Sequence, residues 1–303
     1  MKSMGQLENM QIFIKVVETG GITKAAEQLN LAKSAVSKRL GEIEKQLRVK
    51  LINRTTRKSS LTEAGNAYYQ KCKLILEEVD DLNCLLSSVQ QSLNGTLRLT
   101  VPLSFGVMHL VNAFELFANQ HPQLQMDIDF SDRNVSLVEE GFDLAIRIGH
   151  LTDSSMHARA IAPISHLICA SPEYLAKHGT PETPEQLKSH KLLRYSRLPL
   201  AGIELTDKDK QKITVPMESH CIANNGDFLK AMTVSGHGVT FLPRFIVWQE
   251  LANGTLKTIM PDYKISPMKA YAIYPQNRYL PKKVRMLIDF LSQHFGDVPY
   301  WDQ

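Results

Sequence analysis

Three residues at fixed spacing constrain the fold of the N-terminal segment more than any other feature of the chain. Ala26 lies in a predicted helix, Asn30 follows four residues later, and Val36 lies six residues beyond Asn30. In a helix-turn-helix the first helix needs a small residue where the second helix crosses it. The turn needs a positive φ, which asparagine tolerates, and a branched apolar residue anchors the second helix. The spacing therefore predicts a helix-turn-helix.

The helices around this turn carry apolar faces that indicate one small core. A preceding helix, which ends at Gly20-Gly21, has its apolar residues at helical spacing: Leu7, Met10, Ile14 and Val17. The first helix of the motif begins near Thr23, and its predicted buried face is Ala25, Ala26 and Leu29. The second helix is predicted from about Ala32 to Leu47, with the apolar stripe Val36, Leu40, Ile43 and Leu47.

The opposite face of the second helix is polar and basic. Its candidate contacts are Lys33, Ser34, Ser37 and Lys38, with Thr23 on the first helix. Short serine side chains allow close approach to base edges, and lysine reaches bases or phosphates. A solvated surface helix is the alternative for any single lysine. The set as a whole predicts a helix that lies in a nucleic-acid groove.

A second basic element follows directly. "VKLIN" and "SSLT" are predicted as two short strands around the turn "RTTRK", which makes a wing whose Arg54, Arg57 and Lys58 contact the phosphate backbone or enter a minor groove. Residues 1–62 contain twelve Lys/Arg and five Asp/Glu, whereas the rest of the chain contains 23 and 26. This asymmetry indicates that the N-terminal segment binds a polyanion.

A long helix is predicted after the wing. Its apolar residues recur at steps of four and three: Tyr68, Cys72, Ile75, Val79, Leu82, Leu86, Val89 and Leu93. This rhythm predicts a coiled-coil-like dimer seam that ends at Asn94-Gly95, and a helix packed on its own domain is the alternative. A dimer would place two wings on two half-sites of an imperfect palindrome in double-stranded DNA.

Composition and motifs exclude several other classes of protein. The four cysteines form no CxxC pair, which argues against a zinc ribbon or a disulfide framework and suits a reducing compartment. The N-terminus does not resemble a signal peptide, and no run approaches the roughly 18 apolar residues of a membrane helix. G-x-S-x-G, P-loop and GxGxxG motifs are missing, and the histidines are isolated. We expect a cytoplasmic protein with no membrane association, catalytic residue, metal site or cofactor.

The stretch "GGITKAAEQLNLAKSAVSKRLGEIEKQLRVKLINRTTRKSSLTEAG" closely resembles the winged helix-turn-helix of LysR-type transcriptional regulators. It shares the paired alanines, the wing arginine and the Leu-Thr-x-Ala-Gly close. It departs where Ala32, Lys33 and Ser34 replace the common Ser-Gln-Pro, where Ile43 precedes Glu44, and where Arg48 replaces glycine. The resemblance implies a sequence-specific DNA-binding regulator that activates or represses transcription.

Strands alternate with helices from Gly95 onward, which predicts a parallel sheet. This part resembles the effector domain of the same family, a periplasmic-binding-protein-like fold of two α/β lobes. The resemblance implies an α+β multidomain chain: a winged helix-turn-helix over 5–62, a dimerisation helix over 63–94, and an effector domain over 95–303. Lobe I is expected over 96–163 and 268–303, and lobe II over 164–267.

Doubly wound sheets bind ligands at the carboxyl ends of their strands, and the resemblance places an effector between the two lobes. The candidates from lobe I are Pro102, Ser104, Phe105, Phe130, Ser131, Arg147 and Ile148, and those from lobe II are Asn225, Thr240 and Phe241. Hydroxyls, amides and one arginine among apolar walls suit a small carboxylate. As alternatives, Ser104, Asn225 and Thr240 serve as caps or turn residues, and Arg147 pairs with Asp143.

The resemblance also implies partners. These are a homodimer through 63–94, a homotetramer, a small-molecule effector, and RNA polymerase if the protein is an activator. Two other functions remain open from the sequence. One is an architectural DNA-binding protein without an effector, and the other is a solute sensor whose helix-turn-helix contacts protein.

Overall fold

The computed structural model describes residues 4–54, 59–86, 93–150, 156–198, 202–216, 219–276 and 280–303. They divide into two compact units. The first covers the described residues up to Leu86 together with 280–282, and the second covers the described residues from 93 to 276 and 283–303. Within these ranges no helix has both the length and the hydrophobicity that a membrane crossing needs.

The first unit consists of helices around a short hairpin. In chain order its elements are α1 (Met4–Glu18), α2 (Ile22–Gln28), α3 (Lys33–Leu47), β1 (Ile52–Arg54), β2 (Ser59–Leu61) and α4 (Glu63–Leu86). Its buried core is made of Met10, Ile12, Phe13, Val16, Ala25, Ala26, Val36, Leu40, Ile43, Leu51, Ile52 and Cys72. On α1 the fully buried positions include Phe13 and Val16, while the predicted Ile14 and Val17 are only partly buried.

The turn between α2 and α3 has the predicted geometry. Asn30 has a φ of 53°, and Ala25 and Ala26 are buried where α3 crosses α2. Ala32 is the N-cap of α3 and provides no side-chain hydrogen bond. The structure therefore confirms the helix-turn-helix that the spacing predicted.

The apolar stripe of α3 ends earlier than predicted. Leu47 is 42% exposed, whereas Glu44 is buried. Arg48 adopts a left-handed conformation with a φ of 56°, which ends the helix, so that the last turn of α3 carries Leu47 outside the core. The fourth apolar position of the predicted stripe is therefore wrong.

The first part of the predicted dimer seam belongs to the core of its own unit. The Tyr68 ring lies 5.3 Å from the Phe13 ring, and Cys72 is fully buried. Ile75 is 37% exposed and remains available to a partner. Leu93, predicted as the last seam position, is buried and not helical, because it precedes the first strand of the second unit; residues 87–92, with Val89, lie outside the described ranges.

The second unit contains most of the strands. They are β3 (Gly95–Val101), β4 (Leu124–Phe130), β5 (Leu144–Gly149), β6 (Met156–Ile164), β7 (His166–Ala170), β8 (Leu192–Tyr195), β9 (Ile203–Thr206), β10 (Lys212–Val215), β11 (Ser219–Ala223), β12 (Val239–Pro243), β13 (Lys257–Ile259), β14 (Lys264–Ile265) and β15 (Met268–Pro275). The helices are α5 (Leu103–Phe105), which continues through a π-helical turn (Gly106–Leu110) into α6 (Val111–Gln120), then α7 (Leu137–Glu140), α8 (Pro172–His178), α9 (Gly226–Val234), α10 (Arg244–Ala252) and α11 (Lys282–Phe295). Two 3₁₀ turns cover Gln186–Ser189 and Tyr300–Asp302.

Two five-stranded sheets define two lobes. The first sheet has the order β4-β3-β5-β15-β6, the second has the order β11-β8-β12-β7-β13, and a small sheet β10-β9-β14 was not predicted. The chain passes from the first sheet to the second between β6 and β7, and returns between β14 and β15. Because of these crossings β15 runs antiparallel to β5 and β6, and β7 runs antiparallel to β12 and β13. Both sheets are therefore mixed: the predicted parallel pairing is present between β3 and its neighbours β4 and β5 and between β8 and its neighbours β11 and β12, whereas the antiparallel pairs of β15 and β7 were not predicted.

Candidate functional site

The exposed face of α3 carries the predicted groove-binding side chains. Lys33, Ser34 and Lys38 are exposed and Ser37 is half-buried, while Thr23 is exposed in the first turn of α2. The fold thus leaves these short and cationic groups in solvent.

The basic side chain of Arg39, in contrast, contacts its own unit. Its guanidinium donates to Glu8 Oε2 at 2.9 Å and to Asn9 Oδ1 at 3.1 Å. These two bonds tie α3 to α1, which gives this arginine a structural role.

The two strands after α3 form the antiparallel hairpin that was predicted as a wing. β1 and β2 are antiparallel, and Arg54 lies opposite Ser59 at the end of the ladder, where the turn begins. The predicted Arg57 and Lys58 lie in residues 55–58, outside the described residues.

Glu44 connects the C-terminal part of α3 to the wing. Its Oε1 accepts the backbone amides of Leu51 at 3.0 Å and Ile52 at 3.3 Å, and its Oε2 accepts Lys50 Nζ at 2.7 Å. Burial by itself raises the pKa of Glu44, but these three hydrogen bonds outweigh burial and lower it. Sequence reasoning missed this residue, although Glu44 continues the 36-40 spacing of the buried face.

The "LTEAG" close of the motif attaches the wing to α4. Thr62 Oγ1 donates to the Lys50 carbonyl at 2.7 Å and accepts the Gly65 amide at 2.9 Å. A Cβ at Gly65 would lie 1.9 Å from the Leu51 carbonyl oxygen. Glycine is therefore required because the backbone before β1 touches α4 at this point.

The second unit contains a cavity of about 470 Å³ between its two lobes. This volume is within the range of roughly 300–1,000 Å³ that is usual for small-molecule sites. Six predicted residues line it: Pro102, Ser104, Phe105, Arg147, Ile148 and Phe241. Phe245 and Tyr271 add further aromatic wall.

Four predicted effector residues are not among the described residues that line this cavity. They are Phe130, Ser131, Asn225 and Thr240. Thr240 is fully buried and donates to the Leu193 carbonyl at 3.0 Å, and Asn225 caps α9 by accepting the Phe228 amide at 2.8 Å. The capping alternative therefore describes Asn225, whereas Thr240 is neither a cap nor a turn residue, because it lies inside β12 and bonds to the neighbouring β8.

The other two of these four residues also make local contacts. Ser131 Oγ accepts the Arg133 amide at 3.3 Å. The Phe130 ring lies so close to Gly106 that a Cβ there would be 2.7 Å from a ring carbon. Phe130 and Ser131 thus contact Gly106 and Arg133, neither of which lines the cavity.

Arg147 is a partly buried cation that is held by neutral oxygens. Its Nη1 donates to the carbonyls of Ile146 at 2.8 Å and Thr100 at 3.3 Å, and its Nη2 donates to Thr100 Oγ1 at 3.0 Å and the Arg133 carbonyl at 3.2 Å. The predicted alternative, a pair with Asp143, is wrong, because Asp143 accepts the Arg98 amide at 2.8 Å.

The electrostatics of Arg147 follow from this position. Burial is the main cause that lowers its pKa; the carboxylates of Asp132 and Asp129 act in the opposite direction, and the neighbouring Arg197 and Arg133 add to the lowering. The site therefore holds positive charge that burial and neighbouring cations disfavour.

Sequence reasoning missed several polar residues of the cavity. Asp132, His150, His166, Tyr195 and Arg197 all line it. Asp132 follows β4 and Arg197 follows β8, so both agree with the rule that ligand-binding residues lie at the carboxyl ends of strands. Burial raises the pKa of the Tyr195 hydroxyl, as does Asp132, while Arg197 lowers it. The rule could have found them, had it been applied beyond the first residues after each strand.

A hydrogen bond joins the two lobes beside the cavity. Ser104 Oγ donates to Asp227 Oδ2 at 2.6 Å, although the two residues are 123 positions apart. Ser104 follows β3 of the first sheet, and Asp227 lies in the first turn of α9 in the second lobe. The predicted effector residue Ser104 therefore has a protein partner in this structure.

His109 connects three segments at the base of the lobes. Its Nε2 lies 3.1 Å from the Phe245 carbonyl, which can only accept, so Nε2 carries the proton. Its Nδ1 then accepts from the Tyr300 hydroxyl at 2.5 Å. Burial lowers the pKa of His109 to about 4, against smaller opposing effects of the Phe245 carbonyl and Asp227. The ring is neutral at physiological pH.

An aromatic cluster surrounds His109. The Trp301 ring lies 4.5 Å from the His109 ring, 5.4 Å from Phe295 and 5.8 Å from Phe105. Since Phe105 also lines the cavity, the 3₁₀ turn that carries Trp301 supports the cavity wall from behind. No sequence pattern predicted this contact.

A winged helix-turn-helix, followed by a long helix and by a two-lobed α/β unit with a cavity between its lobes, defines a DNA-binding transcriptional regulator. Residues 7–66 match the bacterial regulatory helix-turn-helix protein, lysR family, and residues 90–296 match the LysR substrate binding domain. The chain belongs to the LysR family of transcriptional regulators.

Individual relatives agree with this assignment over nearly the whole chain. An HTH-type transcriptional regulator of Haemophilus influenzae is 36% identical over 93% of this chain and 98% of its own length. The HTH-type transcriptional activator AaeR of Escherichia coli K12 is 33% identical over 97% and 96%. The solved structure of CrgA, a LysR-type transcriptional regulator from Neisseria meningitidis, superposes with a TM-score of 0.61 at 31% identity, covering 96% of this chain and 99% of that chain.

The comparisons decide between the classes of function that the sequence left open. The relatives are transcriptional regulators and not enzymes, which confirms the prediction of a regulator. The full-length structures confirm the predicted fold class of helix-turn-helix, long helix and two-sheet regulatory domain. Among the described residues no group of three His, Cys, Asp or Glu is placed to hold a metal ion.

Proposed function

We propose that the chain regulates transcription from an imperfectly palindromic DNA site and that a small carboxylate, bound between the lobes, controls this activity. The observation that carries the effector part is Arg147 in the wall of the 470 Å³ cavity, where its four hydrogen bonds go to neutral oxygens. A partly buried cation whose hydrogen-bond partners among the described residues include no carboxylate favours an anionic ligand.

The DNA contacts are proposed on α3 and the wing. The side chains that would face the major groove are Lys33, Ser34, Ser37 and Lys38, and Thr23 would contact the DNA backbone. The wing residues that would contact phosphates or the minor groove are Arg54, Arg57 and Lys58. The support is the exposure of the side chains on α2 and α3 and the position of Arg54 at the end of the hairpin ladder.

The effector contacts are proposed at the carboxyl ends of the strands. Pro102, Ser104, Phe105, Ile148 and Phe241 would contact the ligand beside Arg147. Ser104 already donates to Asp227 of the other lobe. A ligand that accepts this hydrogen bond in place of Asp227 would break a contact between the lobes and would shift the equilibrium between their arrangements.

The proposed assembly follows from the dimer seam. Exposed Ile75 on α4 supports a homodimer through 63–94, and two dimers would form a homotetramer. The proposed domains remain 5–62, 63–94 and 95–303, with lobes over 96–163 plus 268–303 and 164–267, in a cytoplasmic protein. RNA polymerase is a further partner if the chain activates transcription, as the transcriptional activator AaeR of Escherichia coli does.

The test for DNA binding compares two lysines. Lys38→Ala should weaken binding to selected genomic fragments, whereas Lys188→Ala, an exposed lysine of the second lobe, should not. Binding should also fall steeply with salt, because each phosphate contact releases counterions. Equal footprints from Lys38→Ala and the native protein would remove Lys38 from the interface.

The test for the effector screens carboxylates against the native chain. A bound carboxylate should raise the unfolding temperature of the second unit and change the footprint. If no carboxylate does either, while the DNA binding persists, the proposed carboxylate effector is wrong.

A further inference from the structure

The polar end of the cavity carries two arginines that come from different lobes. Arg147 is on β5 of the first sheet, and Arg197 follows β8 of the second sheet. Both terminal nitrogens of Arg147 donate twice to neutral oxygens, so this guanidinium is fixed and has only its Nε–H left for a ligand. Arg197 has an exposed side chain on a loop, where it hydrogen-bonds the Tyr195 side chain and keeps further guanidinium donors for a ligand.

Negative charge is placed beside the two arginines. Asp132 lines the same cavity. Asp129 lies behind Thr100, whose hydroxyl donates to Asp129 Oδ2 at 3.3 Å while it accepts Arg147 Nη2. The nearby Arg133 adds no net charge, because it forms an ion pair with Glu140.

The remaining titratable groups of the cavity are two histidines and a tyrosine. Burial lowers the pKa of His166 to about 4, which leaves its ring uncharged at neutral pH. The pKa of Tyr195 is raised, chiefly by burial, so its hydroxyl stays protonated. His150 is the third of these groups.

These charges limit what the cavity can accept. Among the described lining residues, two arginines and one aspartate give a balance of plus one, and Asp129 behind the wall reduces it further. One carboxylate between Arg147 and Arg197 relieves the repulsion of the two cations. A second carboxylate would meet Asp132, and the described residues of the lining offer no further arginine or lysine to pair with it.

We infer that the cavity selects monoanions: the carboxylate of the effector binds Arg197 of the second lobe, in the field of Arg147 of the first, and Asp132 rejects dianions. This inference rests on the proposed carboxylate effector and adds its charge state, its contact residue and the residue that sets specificity. The uncharged remainder of the ligand faces the aromatic wall of Phe105, Phe241 and Phe245.

The experiment titrates the full chain at pH 8 with probes that share a carbon skeleton and carry two, one or no negative charges. The probes are succinate and phthalate, their monomethyl esters and their dimethyl esters. Isothermal titration calorimetry measures the affinity of the chain for each probe. The native chain should bind at least one monoester about tenfold or more tighter than its diacid, because one nearby charge shifts such equilibria by that order. The dimethyl ester of the same skeleton should not bind measurably.

Two variants separate the roles of the charged residues. Asp132→Asn should improve diacid binding by about tenfold and leave the monoester nearly unchanged, because only the second carboxylate meets Asp132. Arg197→Gln should weaken monoester binding by about tenfold or more. Asp209→Asn and Lys188→Gln make the same charge changes on exposed parts of the second lobe and should alter neither affinity.

The outcomes distinguish this inference from the proposed function. Diacids that bind the native chain as tightly as monoesters, or an unchanged ratio in Asp132→Asn, overturn the charge selection and leave a carboxylate effector standing. Native monoester affinity in Arg197→Gln overturns the contact residue. Dimethyl esters that bind as well as the charged probes, or no binding by any probe, overturn the carboxylate effector and the inference together.

Discussion

The two units of the chain differ in how far apart in sequence their contacting residues lie. In the first unit, the buried residues of α1, α2, α3 and α4 follow one another within about seventy positions. In the second unit, β15 returns to lie between β5 and β6, and Trp301 contacts Phe105 from almost two hundred positions away. Local spacing therefore determines the DNA-binding surface, whereas the cavity depends on which distant strand ends meet.

The two units also differ in their spectroscopic and titratable groups. All ten histidines lie between His109 and His294, and both tryptophans, Trp248 and Trp301, lie in the second unit. Tryptophan fluorescence therefore reports on the second unit alone, while far-UV circular dichroism reports on both. Each unit can thus be followed separately in one unfolding experiment.

Trp301→Ala should give the largest effect, and in the second unit only. Its ring is 1% exposed and contacts His109, Phe105 and Phe295. Loss of such a side chain costs about 3–5 kcal/mol in the free energy of unfolding. Urea unfolding followed by tryptophan fluorescence, which Trp248 still provides, measures it. A variant as stable as the native chain would show that the cluster does not support the cavity wall.

Mild acid should destabilise the second unit through its buried histidines. Burial lowers the pKa of His109 to about 4, so the unfolded chain binds more protons than the folded chain between about pH 6.5 and 4. Stability is therefore full above the unfolded pKa and falls as the pH drops through this window, by about 3 kcal/mol for this one group.

His109→Gln should reduce this pH dependence, although it also weakens the native state at neutral pH. The measurement is the free energy of unfolding by urea at several pH values, followed by tryptophan fluorescence. His166, whose pKa burial also lowers to about 4, keeps part of the slope in the variant. A slope identical to that of the native chain would contradict the assigned role of His109.

Gly65→Ala should destabilise the first unit without affecting the second. The added Cβ would lie 1.9 Å from the Leu51 carbonyl oxygen, and forced overlap of this kind costs about 1–3 kcal/mol or more. Gly41→Ala is the matched control, because a Cβ there meets nothing within 4 Å in α3. That control should stabilise the helix by about 0.5–1 kcal/mol. Circular dichroism at the helix wavelength measures both variants, with tryptophan fluorescence unchanged.

Glu44→Gln should have the smallest effect, about 1–2 kcal/mol on the first unit. The pKa of Glu44 is lowered in the folded state, so its contribution is present above the unfolded pKa and is lost as the pH falls through the folded pKa. The first unit thus loses stability at a lower pH than the second. Glutamine keeps one acceptor for the Leu51 amide but removes the acid dependence. An unchanged acid transition in circular dichroism would exclude Glu44 as its source.

The sequence predicted local geometry well and long-range geometry in part. Asn30 and Val36 could be placed because a turn conformation and a crossing point depend on neighbours in sequence. Leu47 and Cys72 were misplaced because their periodicity alone does not say where a helix leaves its core or which core it meets. Apolar spacing predicts a buried face, but the partner of that face is a tertiary property.

The cavity shows the same limit at single residues. Pro102 and Ser104 follow β3, and Arg147 lies in the C-terminal half of β5; all three line the cavity. Thr240, the second residue of β12, bonds the Leu193 carbonyl within the sheet instead. Arg197 and Asp132 were missed, since they lie two residues beyond their strands. Strand ends identify the rim of a site, and side-chain direction in the assembled lobes decides which residues enter it.

The central position of β15 in the first sheet has a consequence for synthesis on the ribosome. The strands of the second sheet lie between His166 and Ile259, so this lobe can close as soon as that segment has emerged. The first lobe begins earlier in the chain but leaves β5 and β6 without their shared neighbour until Met268–Pro275 has left the exit tunnel. The lobe that begins first in the chain is thus the last to be completed during translation. Until then the unpaired edges of β5 and β6 are the natural targets of chaperones.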